Sequence, residues 1–166
     1  MRAQHRDGSW EPLWFGNQHT VGQTNPLYGT AKVVLALAER PQPEAGDSLH
    51  RALIWLGSAQ GADGSWGGAP GCPPSQEETA LAVEALSVGL AVDPDPDRSL
   101  IVAWQRGVEW LLHRVEAGGW QKPSPIGLYF ARLWYDEALY PVVFTVAALG
   151  RAARFAMSHP ARVPGR

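Results

Sequence analysis

QGADGSW at 60–66 and QHRDGSW at 4–10 spell one pattern twice: a glutamine, a glycine four residues on, and a tryptophan two beyond that. EAGGW at 116–120 is a shortened echo, with Glu116 near the glutamine position. Trp10, Trp66 and Trp120 follow one another at intervals of 56 and 54 residues. That is too long for one helix and its loop, and it suits a helical hairpin, so the chain reads as a repeat of hairpins. Glycine gives each turn backbone freedom that other residues resist. The glutamine side chain can bond exposed backbone groups at a helix end, and tryptophan covers the turn with a large apolar face. Gln4, Gly8, Trp10, Gln60, Gly64, Trp66 and Trp120 are therefore read as fasteners between hairpins, not as chemistry.

The stretches between the turns carry helix signals. In 25–40, Pro26 stands at a helix start and Val33, Val34 and Leu37 share a face. In 47–60, Asp47 is a cap candidate ahead of Leu49, Leu53 and Leu56. In 74–90, Ser75 with Glu78 three residues on forms a capping-box pattern, followed by Leu81, Ala82, Ala85 and Leu86. A fourth helix is expected over 97–116 and a fifth from Tyr140 to about Met157. Strand signals are nearly absent, which predicts an all-α fold.

Composition removes several functions. A net charge of −2 with 18% charged residues offers no basic field for nucleic acid. Cys72 is the single cysteine, so no internal disulfide framework exists. The longest apolar run, LYPVVFTVAALG at 139–150, falls short of the ~20 residues of a spanning helix, while surface attachment stays open. With a polar N-terminal stretch, the expected location is the cytoplasm, with or without peripheral attachment to a membrane.

The Gln-x(3)-Gly-x-Trp turns resemble the QW repeat of the squalene–hopene cyclase family, the class II triterpene cyclases. NPLYGTA (25–31) looks like the family's Asn-x-x-Tyr-Gly-Thr, and PSQEETALAVEAL (74–86) like its Pro-Ser-Gln-Thr-Ala helix. GLYFARLWYDEALYPVVFTVAALGRAAR (127–154) is similar to its closing segment, and the landmarks keep the family's order over about residues 4–154. The resemblance implies helical hairpins forming about half of an (α/α)6 barrel, three hairpins of six. Residues 1–157 would be this part and 158–166 a flexible tail, with the C-terminus looking natural and the N-terminus cut.

The resemblance also bears on chemistry. The family's acid is the middle aspartate of an Asp-x-Asp-Asp motif upstream of the matched region, and no counterpart is found here, so no catalytic residue is named. DPDPD (93–97) reads as a solvated loop because of its prolines. Glu77 and Glu78 suit the dipole of a first helical turn, which outweighs a general-acid reading. Tyr28 matches a cavity-facing position, and Phe15 falls near a cavity-wall tryptophan of the family. Where the family has Phe-Pro-Gly-Asp-Phe-Tyr, this chain has SPIGLY (124–129): Ser124 and Leu128 replace the phenylalanines and Tyr129 is kept. With Tyr135 these complete the cavity candidates, each weighed against plain core packing.

Protein prenyltransferase β subunits share the barrel, but Cys72 has no histidine near it in sequence, and His5, His19, His50, His113 and His159 show no ligand spacing. No metal or cofactor is expected, and the Cys-Gly-Glu-Gln of thioester domains is absent. The expected function is the wall of a cavity for an isoprenoid such as squalene, inactive alone and completed by an upstream cyclase half. The alternative is a non-catalytic module that binds an isoprenoid or a protein, or pairs with itself, through the open half-barrel face, where Leu128 and Phe144 would lie.

Overall fold

The computed structural model describes residues 3–40, 42, 45–122, 124–128 and 133–163. Its elements are β1 (Phe15–Gly16), α1 (Pro26–Glu39), α2 (Gly46–Ser58), α3 (Gln76–Val92), α4 (Arg98–Glu116), β2 (Ser124–Leu128), β3 (Leu133–Glu137) and α5 (Tyr140–Ser158). Single 3-10 turns lie at Val21–Gln23 and Gly119–Gln121. The protein is mostly helical, in an arc of hairpins that forms part of an α/α barrel.

Local chemistry sets the helix starts. The Asn25 side chain accepts from the Tyr28 N–H while Pro26 opens α1, where its missing donor costs nothing. Ser75 Oγ accepts from the Glu78 N–H at 3.0 Å, and Asp97 Oδ1 accepts from the Ser99 N–H at 2.8 Å. Asp47 does not cap α2: the N-cap is Ala45, without a side-chain bond, and Asp47 sits inside the first turn. The capping box of α3 is also half-formed, because the Glu78 side chain points elsewhere, as described below.

α3 packs between α1 and α5 and also meets α2 and α4. Thirteen of its residues are buried, from Gln76 to Leu90, so it is the core helix of the arc. A helix apolar nearly all round must be covered nearly all round, and TALAVEALSVGLAV (79–92) is such a sequence. Beyond α5, Arg162 Nη1 donates to the Asp93 carbonyl at 3.0 Å and to the Leu90 carbonyl, closing the C-terminal end of α3.

The glutamine–tryptophan turns hold this arc by repeated bonds. Gln4 Nε2 donates to Gly8 O and to Ser48 O of α2, both at 2.9 Å. Gln60 Nε2 donates to Gly64 O at 2.9 Å and to Ala103 O of α4 at 2.8 Å. The next inner helix is then tied on through a threonine: Trp10 N–H to Thr30 Oγ1 at 2.9 Å, Trp66 N–H to Thr79 Oγ1 at 3.0 Å. Gly8 and Gly64 have φ of 99° and 93°, and a Cβ there would lie 2.5 Å from Arg51 O or 3.0 Å from Arg106 O. Glycine is thus required twice over, by conformation and by the closeness of the outer helix.

Three short strands add a small sheet to the helical frame that the sequence predicts. They form one antiparallel sheet, β1-β2-β3, with Phe15 opposite Leu128 and Leu128 opposite Leu133. SPIGL has no alternating pattern, and its pairing is instead allowed by Gly127. A Cβ on Gly127 would collide with the ring of Trp134, the residue opposite it. The ring supplies the packing surface that glycine lacks.

Candidate functional site

Three inner helices, α1, α3 and α5, bring their first turns together at one end of the arc, and β1 lies across them. Their meeting point is a cavity of about 60 Å³ lined by Phe15, Gly16, Asn25, Tyr28, Glu77, Glu78, Leu81, Tyr140 and Phe144. Phe15 and Tyr28 pack with ring centroids 4.6 Å apart, and Tyr140 meets Phe144 edge-on at 5.3 Å. At the edge, the Lys32 ammonium lies 5.5 Å from the Tyr28 centroid and 5.4 Å from that of Phe144, so two of the rings already serve a cation.

Glu78 is the polar centre. Its Oε1 accepts from Asn17 Nδ2 at 3.0 Å and from Asn25 Nδ2 at 3.2 Å. Burial pushes its carboxyl above the ordinary value, and the two amide bonds counter only part of that. The bonds tie the segment between β1 and α1 to the start of α3. Asn17 further holds that segment by accepting from the His19 N–H at 2.8 Å, while Thr20 Oγ1 donates to Asn17 O at 2.9 Å. Around the mouth, burial raises the Tyr28 hydroxyl, with Tyr140 adding to it. Tyr140 is raised by burial and then by Tyr135, Glu137 and Glu77.

The sequence candidates divide accordingly. Phe15 and Tyr28 line the cavity together. Leu128 and Tyr135 fall on the same sheet face as Phe15 through the strand register, outside the lining; Tyr135 bears on the cavity only through Tyr140, whose hydroxyl it helps to raise. Tyr129 lies outside the described residues, as does the Trp120 side chain. Gln4, Gly8, Trp10, Gln60, Gly64 and Trp66 stay in their turns and do not line the cavity. Cys72 Sγ, remote from histidine in sequence, lies 3.4 Å from the His19 main-chain oxygen.

Known proteins resemble this chain in sequence and fold. Residues 1–154 match the model of the squalene-hopene cyclase C-terminal domain. The chain belongs to that family. An ent-copalyl diphosphate synthase of Streptomyces sp. (strain KO-3988) is 32% identical over 148 residues, 89% of this chain and 24% of that protein. A squalene–hopene cyclase of Bradyrhizobium diazoefficiens is 30% identical over 146 residues, 81% of this chain and 20% of its own length. Among solved structures, the ent-copalyl diphosphate synthase from Streptomyces platensis superposes with a TM-score of 0.67 at 28% identity, covering 94% of this chain and 26% of that one. The chain therefore spans about a quarter or less of the length of these class II cyclase relatives.

Asn17, Asn25, Glu77, Glu78, Tyr140 and Phe144 were not among the sequence candidates for this cavity. For the glutamates a signal existed: a helix as apolar as α3 is covered from its first turn, so acids placed there are covered too.

Proposed function

We propose that this chain forms part of the wall of an isoprenoid cavity in a class II terpene cyclase, and that the proton starting cyclisation comes from residues outside it. The observation that carries this reading is the cavity itself: Phe15, Tyr28, Tyr140 and Phe144 around a buried carboxyl, where the first turns of α1, α3 and α5 meet. Protonating an alkene transfers H⁺ to one carbon and leaves a carbocation on its neighbour. Each ring face stabilises such a centre by ~0.5–2 kcal/mol, most where water is excluded.

The cavity, about 60 Å³, is too small to enclose a polyene, since one water's share of liquid volume is already about 30 Å³. The rest of the substrate's enclosure must be built by other residues. Diphosphate products appear in the names of several relatives beside squalene–hopene cyclases, so a diphosphate-bearing isoprenoid stands with squalene as the candidate substrate.

The test is titration of the purified chain with geranylgeranyl diphosphate and with squalene in detergent, followed by product analysis. Saturable binding to the wild type, weakened in Phe15→Ala and Tyr28→Ala, with no cyclised product, is the expected result. Turnover by the chain alone overturns the external acid, and absence of saturable binding overturns the cavity-wall role.

A further inference from the structure

The carboxyl at the cavity is bonded on one oxygen only. Glu78 Oε1 takes both amide bonds, from Asn17 at 3.0 Å and from Asn25 at 3.2 Å. Among the described residues, no other side chain donates to Oε2. Glu78 is 6% exposed and lines the cavity together with Phe15, Tyr28, Tyr140 and Phe144. A buried carboxyl is costly unless its charge is met by donors or by an opposite charge. The rings share that preference, since an aromatic face attracts a cation, and Lys32 already lies against two of them. Three helices bring the positive ends of their dipoles to this space. They are nevertheless poor anion sites. Pro26 and Pro141 carry no donor, and the Asn25 and Ser75 side chains occupy the N–H groups of Tyr28 and Glu78.

We propose that Glu78 Oε2 is the counter-charge for a positive centre in this cavity, so that the chain takes the ammonium end of an isoprenoid amine there and holds a carbocation in the same place. The inference rests on the cavity-wall reading and adds to it the sign of the charge. The two amide bonds fix Oε1, and with it the plane of the carboxyl, before any ligand arrives. Asn25 Oδ1 also accepts from the Tyr28 N–H at 3.0 Å, so the bonds that hold the acid hold a ring beside it. An ammonium donates an N–H to Oε2, whereas a carbocation is held there by charge alone. Burial keeps the proton on Glu78 above the ordinary range. A cation arriving at low pH therefore displaces that proton to the solvent, and affinity for the cation rises with pH. The other groups facing this space act in fixed directions. Glu77 on the same helix adds to the attraction and Lys32 on α1 opposes it. Tyr28 and Tyr140 are both raised, the latter partly by Tyr135 and Glu137 of β3, and stay uncharged.

Calorimetric titration of the purified chain with geranylgeranylamine and with geranylgeraniol, in detergent, tests it from about pH 4.5 to about pH 8, where the amine stays cationic. Both ligands are expected to bind saturably. At about pH 8 the amine should bind about tenfold more tightly or better, the size of one hydrogen bond to a charged group. That preference should shrink as the pH is lowered. Glu78→Gln keeps an acceptor for the two amides, and it should lose the preference while still binding the alcohol. Glu77→Gln should lose less of it. Far-UV circular dichroism confirms that each variant is folded, and should Glu78→Gln not fold, the pH dependence of the wild type decides. Equal affinity for the two ligands, a preference that does not change with pH, or one that survives Glu78→Gln overturns the counter-charge and leaves the cavity wall standing. A larger loss in Glu77→Gln overturns the assignment to Glu78. Binding of neither ligand overturns the wall reading itself, and the counter-charge falls with it.

Discussion

Asp63 and Glu78 are both carboxylic acids tied to neighbouring polar groups, and the protein shifts their pKa values in opposite directions. Asp63, in the second glutamine–tryptophan turn, accepts from Ser65 Oγ at 2.5 Å and from the Ser65 N–H at 3.1 Å. The Ser65 hydroxyl bond first, joined by the Ser65 backbone bond and Trp110, brings it below the usual range against the opposing effect of burial. Asp7 does the same work in the first turn: burial acts upward, but the Ser9 bonds and nearby His5 hold it lowered. Glu78 is fully buried and is raised. The turns hold an exposed acid lowered by its serine bonds and are made in duplicate, whereas the cavity end holds a buried acid raised by its burial and is made once. Fastening needs a bond pattern that each hairpin can repeat; the cavity end rests instead on contacts among the first turns of α1, α3 and α5.

The largest effect falls on the fasteners. Trp66 is 1% exposed and its indole N–H donates to Leu56 O at 2.8 Å. Trp66→Ala is expected to cost about 3–5 kcal/mol in urea unfolding, and Trp10→Ala, at the arc's edge, less. Equal costs would mean that the two turns carry equal load.

Next comes the cavity acid. Glu78→Ala leaves the Asn17 and Asn25 amides without their acceptor and should cost about 1–3 kcal/mol, whereas Glu78→Gln keeps the shape and an acceptor oxygen. A raised folded value means the folded chain holds the proton more firmly, so wild-type stability should fall as pH rises from about 4.5 through that raised value. Melting temperatures of Glu78→Gln across the same range should show a flatter profile; an unchanged slope would place the titration on another group.

Asp63 should behave in the reverse sense. Its contribution is present above pH 3.8 and lost as pH falls through the lowered folded value. Asp63→Asn should therefore weaken the protein by no more than about 1 kcal/mol at pH 7, the site being close to solvent, and the deficit should vanish in acid. Smallest is Lys32→Met, expected to cost about 0.5–1 kcal/mol through lost contact with Tyr28 and Phe144. The same variant should bind an ammonium-headed isoprenoid more tightly than the wild type, and the diphosphate-headed one less tightly; calorimetry reads both.

Much of the helical frame was legible because its signals are local. Asn25-Pro26, Ser75 and Asp97 mark the starts of α1, α3 and α4 within a few residues of what they cap. The cavity was only partly legible because its partners are distant. Asn17 and Glu78 are 61 residues apart and Asn25 and Glu78 are 53, so the first-turn dipole reading of Glu78 was complete in itself and hid the second role. The sheet escaped for a similar reason: Phe15 pairs with Leu128, 113 residues away, and the glycine that permits the next pairing reads in sequence as a break.

Arg162 gives the molecule a practical boundary. The family match ends at residue 154, and a chain shortened to that point would contain every residue lining the cavity. It would also lose the guanidinium that satisfies the Leu90 and Asp93 carbonyls and the partly buried Val163 packed against the core. The end of α3 would then fray from the side opposite the cavity. The smallest piece worth expressing therefore runs through Val163, nine residues past the last one that similarity would have kept.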